Sequence, residues 1–155
     1  MKAQSTSSGF SIHKSLALLA ASLVCLGACA ADVEFLTVEG TAKGLPFSPA
    51  VKAGGQLYVS GQIGTLPGTT KLVAGGMAEE AKQAIENVKT ILVANGYSLR
   101  DVVKCTVMLA DMNEWTAFNE VYTAAFTPPY PARSAIGANG LARGAKVELD
   151  CIAAK

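Results

Sequence analysis

Two apolar stripes at helical spacing, each set between strand-like alternations, constrain the fold of this chain more than any other feature. The first is Ala81, Ala84, Ile85, Val88, Ile91 and Leu92, on a segment from about Met77 to Ala94. Glu79 and Glu80 fall in its first turn, at the positive end of the helix dipole, and Asn95-Gly96 supplies its stop. The second stripe is Trp115, Phe118, Tyr122, Ala125 and Phe126. Asp111 or Asn113 caps its start, and Pro128-Pro129 ends it because proline cannot continue the hydrogen-bond ladder. Strand patterns run from Gln56 to Ser60, ended by Gly61, then over Val102 to Ala110, about Arg133 to Ala138, and Ala145 to Ala153. In the strand after the first helix, Val103, Cys105, Val107 and Leu109 share one face, and Val102, Lys104, Thr106 and Met108 share the other. In the last strand Val147, Leu149 and Cys151 point toward the helices, and Glu148, Asp150 and Ile152 point away. The order ββαβαββ gives an α+β fold with both helices packed on one face of the sheet. The opposite face mixes polar and apolar residues, which suits an oligomer interface or a site better than bare solvent.

Ahead of this domain lies a leader. Lys2, His13 and Lys14 precede the apolar run Ser15 to Leu26, which is shorter than the roughly 20 residues a bilayer needs but matches a signal-peptide core. Residues 1–31 are therefore read as a signal peptide and 32–155 as the exported, periplasmic domain. Two cleavage patterns fit. Leu26-Gly27-Ala28-Cys29 resembles a bacterial lipobox, which would leave Cys29 lipidated and the protein anchored to the membrane. Ala28-Cys29-Ala30 fits ordinary signal cleavage. Cys105 and Cys151 remain in the domain, both inside apolar strand patterns, either as small hydrophobes or as a pair in an oxidising compartment.

Charge and residue types narrow the chemistry. After residue 31 the chain has eleven Lys and Arg against twelve acids, a net charge of −1. A nucleic-acid partner calls for a basic excess on one face, so none is expected. The single histidine, His13, lies in the leader. This excludes Ser-His-Asp or Cys-His nucleophile machinery and His-ligated zinc from residues 32–155. With no CxxC present, no redox or metal role is expected, and chemistry falls to Arg, carboxylates, Ser, Asn, Tyr or backbone groups.

Five short motifs occur in register: Ser60-Gly61-Gln62-Ile63, Asn87-Val88-Lys89, Phe118-Asn119-x-x-Tyr122, Pro131-Ala132-Arg133-Ser134 and Lys146-Val147-Glu148-Leu149. Together they resemble the Rid family (the YjgF family) of reactive-intermediate imine deaminases, over about Gly44 to Ala153. The resemblance implies a chorismate-mutase-like α+β fold, a homotrimer and active sites at subunit interfaces. It also implies hydrolysis of 2-iminopropanoate and related imines, derived from enamines, to 2-keto acids and ammonia. Arg133 matches the family's substrate-carboxylate arginine, and its planar fork suits a bidentate carboxylate. The alternative is a strand-start arginine paired with a nearby acid. Glu148 matches the carboxylate that positions the attacking water; otherwise it is an interface acid holding Lys104 or Lys146. Ser60 and Asn119 match site-lining positions, although Ser60 also suits a strand end and Asn119 a loop tether. Phe47, Ser134 and Ala135 complete the substrate-binding set that the resemblance implies.

Two departures stand out. Phe47 replaces the family tyrosine, with loss of its hydroxyl, and Ala135 replaces a cysteine. Neither touches the anion-binding arginine, but both bear on which substrate fits. Three function classes follow: a cofactor-free hydrolase of small imino acids; a trimeric module that binds small carboxylates or keto acids without turnover; and an RNA-cleaving enzyme, as some relatives are labelled, which the slightly acidic, histidine-free domain with no basic-aromatic stripe argues against.

Overall fold

The computed structural model describes residues 32–41 and 43–155. The expected leader, its two cleavage patterns and Cys29 lie outside the described residues. Eight main elements follow in chain order: β1 (Val33–Leu36), β2 (Ala50–Ala53), β3 (Gln56–Ile63), α1 (Met77–Ala94), β4 (Val102–Leu109), α2 (Trp115–Ala125), β5 (Ala132–Gly137) and β6 (Val147–Ala154). The strands form one mixed sheet in the order β1-β2-β3-β6-β4-β5. Neighbours are antiparallel except β4 and β5, which run parallel because α2 carries the chain back between them. The fold is α+β as the sequence indicates, with one strand more than ββαβαββ. The short β1 pairs with β2 as an edge ribbon, and its Val33 and Phe35 stay exposed.

The core follows the two stripes. Ala81, Ala84, Ile85, Val88, Ile91 and Leu92 of α1 are buried, with Phe118, Tyr122 and Phe126 from α2 and its C-cap. They meet the inward row of β6, Val147, Leu149, Cys151 and Ala153, and Cys105, Val107 and Leu109 of β4. Cys105 and Cys151 stand directly opposite each other, Cα atoms 4.1 Å apart, and form a disulfide that staples β4 to β6. Glu80, read as a dipole-end acid, is buried and accepts the backbone N–H of Lys146 at 2.8 Å, tying α1 to the start of β6. Tyr97 N–H donates to Leu92 carbonyl at 2.9 Å and closes α1 where Asn95-Gly96 was expected to stop it.

Local irregularities correct two readings and decide a third. β3 does not end at Gly61. Between Val59 and Gln62 it gains one residue against β6 and continues to Ile63, so Ser60 and Gly61 form a bulge rather than a strand end. In β4 a second bulge separates Val102 from Lys104. Val102 therefore turns into the core while Val103 is exposed, the reverse of strict alternation. Asp111, not Asn113, caps the turn before α2: its carboxylate accepts Asn113 N–H at 2.9 Å, and one 3-10 turn precedes Trp115.

Candidate functional site

Arg133 enters from β5, whose register sets it beside Cys105 of β4. Cys105 faces the helices, so Arg133 does too, and its guanidinium lies against α2. The guanidinium carbon is 4.4 Å from the Tyr122 ring centre, 4.8 Å from Trp115 and 5.8 Å from Phe118. Nη2 donates to Asn119 Oδ1 at 2.9 Å. The spacing 115, 118, 119, 122 brings all four residues to one face of α2. Among the described residues Arg133 forms no salt bridge, so the strand-start ion pair of the alternative reading does not form. Aromatic faces and an amide oxygen hold the cation without neutralising it. Asn119 is thus bound to Arg133 rather than to a loop backbone. Beneath the guanidinium, the Tyr122 hydroxyl is buried with no hydrogen-bond partner among the described residues. Burial pushes its pKa up, opposed by the charge of Arg133.

Glu148 projects from the other face of the sheet. It stands opposite Met108 of β4 and Ile63 of β3. Burial raises its carboxyl pKa above the usual range, and the nearby Asp150 charge adds to the rise. Neither expected lysine holds it: Lys104 Nζ donates to Ser134 Oγ at 2.7 Å, and Lys146 pairs with Glu114 at 3.1 Å. The Ser60-Gly61 bulge makes room for the carboxylate. A Cβ on Gly61 would overlap the Glu148 carboxylate oxygen and lie 2.9 Å from its carbon, so no other residue fits without displacing it. Gln62 folds back over the bulge, donating to Ser60 and Gly61 carbonyls at 2.9 and 3.1 Å. Asn87 of α1 donates to the Ile63 and Thr65 carbonyls, both at 3.0 Å, and fixes the strand end.

Glu148 lines a cavity of about 310 Å³ together with Phe47, Gln62, Ile63, Asn87 and Arg143. Phe47 is an exposed apolar wall of this cavity. Arg143 holds a left-handed backbone, φ 61°, which costs a non-glycine residue roughly 1–3 kcal/mol. Ser60 does not line the cavity; its hydroxyl donates to Ser48 carbonyl at 2.7 Å and anchors the segment that carries Phe47.

The expected site residues thus fall into two sets. Arg133, Asn119 and Ala135 lie on the helix side of β5; Glu148 and Phe47 line the cavity, with Ser60 behind it, anchoring the Phe47 segment. Ser134, on the face opposite Arg133, is exposed and bonded to Lys104. Arg133 registers with Cys105 and Glu148 with Met108, three residues along β4, so the two point to opposite faces. Two strand spacings also separate them laterally, about 10 Å. One chain does not bring them together. Gly61, Gln62, Asn87, Arg143 and Trp115 shape these two clusters and are not among the expected site residues. Gly61 carried a signal, a glycine inside a strand pattern, which marks a bulge or a close approach. Among the described residues no three His, Cys, Asp or Glu gather to hold a metal.

Comparison with known proteins agrees with this architecture. The family model described as Endoribonuclease L-PSP matches residues 41–155. The mouse protein named 2-iminobutanoate/2-iminopropanoate deaminase is 46% identical over 108 residues, 70% of this chain and 80% of that protein. The crystal structure of RidA from an Antarctic Psychrobacter superposes with a TM-score of 0.74 at 37% identity, covering 79% of this chain and 99% of that one. A Thermotoga maritima structure described as a putative endoribonuclease gives a TM-score of 0.74 at 40% identity, covering 79% and 97%. With the family model spanning nearly all of the described domain, the chain belongs to the Rid family, whose model carries the description Endoribonuclease L-PSP.

Proposed function

We propose that this protein hydrolyses small, reactive imino acids of the 2-iminopropanoate type to 2-keto acids and ammonia, at sites completed between copies of the chain in a homotrimer. The observation that carries the reading is the Arg133 guanidinium: a partly buried cation held by aromatic rings and one amide oxygen, with no acid paired to it among the described residues. Such a group is completed by an anion, and a planar carboxylate matches its fork. Mouse, human and bovine relatives at 44–46% identity are named 2-iminobutanoate/2-iminopropanoate deaminases. Their substrates are carboxylates with an imine at the adjacent carbon.

In the reaction water adds to the imine carbon, the C–N bond breaks, and the nitrogen leaves as ammonia while oxygen remains as the keto group. Arg133 of one copy holds the carboxylate and fixes the imine carbon in space. Glu148 of another directs the water and takes its proton, a role its raised pKa suits by making it a stronger base than an ordinary glutamate. A protonated imine is already electrophilic, so most of the task is orientation. Phe47 and Ala135 form apolar contacts to the substrate and Asn119 a polar one, while Ser60 anchors the Phe47 segment through Ser48 and Ser134 is tied to Lys104. The separation of Arg133 and Glu148 on opposite faces of one sheet supports a site shared between copies, and the half-polar open face around Lys104, Thr106 and Met108 supports an interface there.

Export to the periplasm is part of the same proposal. The leader motivates it, and the Cys105–Cys151 disulfide supports it, since such bonds persist in oxidising compartments.

Turnover of imino acids generated in situ by an amino acid oxidase tests the reading. Wild type is expected to release ammonia and keto acid faster than buffer. Arg133→Ala is expected to lose this activity with its fold intact, and Arg133→Lys to lose most of it, because an ammonium lacks the fork. Keto-acid binding through Arg133 without any turnover would replace the hydrolase by a carboxylate-binding module.

A further inference from the structure

We infer that the aromatic stripe of α2 is a cradle that presents the Arg133 guanidinium to its ligand, with Trp115 as the positioning residue that sets its direction. The inference rests on the proposed reading of Arg133 as the carboxylate grip. Four residues of one helix surround this single group: Trp115, Phe118 and Tyr122 by their rings and Asn119 by its side-chain oxygen. Phe118 and Tyr122 are rooted in the core, where they stack toward Phe126 and cannot move independently of the fold. Trp115 stands at the first turn of α2, partly exposed, its ring 6.2 Å from that of Phe118. It extends the cradle outward along the guanidinium.

The geometry separates two uses of one cation. Rings contact a guanidinium through its face, whereas a carboxylate takes its edge N–H groups. One Nη2 hydrogen is committed to Asn119 Oδ1, the one hydrogen bond the guanidinium makes among the described residues. An acid in the place of these rings would orient the side chain equally well but would neutralise it. Aromatic faces orient it and leave its charge for the substrate. They also remove, before binding, the rotamer freedom that a loose arginine loses on gripping a ligand.

Trp115→Leu and Trp115→Phe decide the matter: leucine keeps apolar volume without a ring face, and phenylalanine keeps the face. For 2-iminopropanoate generated in situ, Trp115→Leu is expected to raise KM about two- to thirty-fold with a much smaller change in kcat. Trp115→Phe should recover most of the lost affinity. Both should keep the wild-type denaturation midpoint to within a small shift. Wild-type KM in Trp115→Leu, measured where Arg133→Ala is inactive, would overturn the cradle and leave the hydrolase reading standing. Equal losses in the leucine and phenylalanine variants would also overturn it, by assigning the effect to packing. Full activity in Arg133→Ala would remove the grip, and the cradle with it.

Discussion

At the scale of single residues, Arg133 and Glu148 differ in how they are held, and that difference sets their chemistry. Arg133 is held by rings and an amide, with no acid paired to it among the described residues. Glu148 is pressed into the Ser60-Gly61 bulge beside Asp150, which favours its neutral form. If Glu148 acts as the base, activity must rise with pH through its raised pKa, at higher pH than an ordinary glutamate would give. Glu148→Gln should remove that limb, lower kcat by about 10²–10⁴-fold and leave keto-acid binding largely intact. The sign for stability is opposite. The unfolded chain releases this proton at lower pH than the folded one, so folding weakens as pH rises through the same window. A pH–rate profile unchanged in Glu148→Gln would assign the base elsewhere. Both residues were legible in the sequence through motif and charge type. Their surroundings were not: that Asn119 would bind Arg133, or that Gly61 would admit a carboxylate, depends on contacts across strands and between helix and sheet.

At the scale of elements, regular periodicity was legible and departures from it were not. Every residue of the α1 stripe is buried, because a helical face repeats over five turns and tolerates no reinterpretation. Strands are less forgiving: one extra residue at Val102–Val103 exchanges the two faces locally, and nothing in the apolar run Val102-Val103 marks it. The short β1 was missed because four residues carry too little alternation to be read. The disulfide between β4 and β6 is the strongest element-level tie. By chain-entropy reasoning, closing a loop of 46 residues stabilises the fold by about 2–4 kcal/mol. Equilibrium denaturation with and without a thiol reductant should show this as a lower midpoint under reduction. Identical midpoints, with the bond verified by mass, would mean that packing alone holds the two strands.

At the scale of the whole molecule, one chain carries Arg133 and Glu148 on opposite faces of a sheet, and the proposed assembly would unite them. The open face beyond the helices, where Lys104, Glu148, Asp150 and the exposed Tyr58 and Ile136 gather, is the surface available for it. This face was visible in the sequence as a mixed alternation of polar and apolar residues. Export belongs to this scale as well. Protein from the native host is expected to lack the residues before about Cys29 or Asp32, and intact mass would show either a lipidated Cys29 or a plain cleaved terminus; a chain starting at Met1 would contradict export. The central claim, that Arg133 and Glu148 of different copies act on one imino acid, is tested most directly by complementation. Arg133→Ala and Glu148→Gln chains, each nearly inactive alone, are unfolded together, refolded as mixed trimers and assayed for keto-acid release. The account predicts recovery of a share of wild-type turnover, since mixed assemblies contain interfaces with both native residues. Mixed trimers of the expected mass that stay as inactive as the separate variants would contradict it.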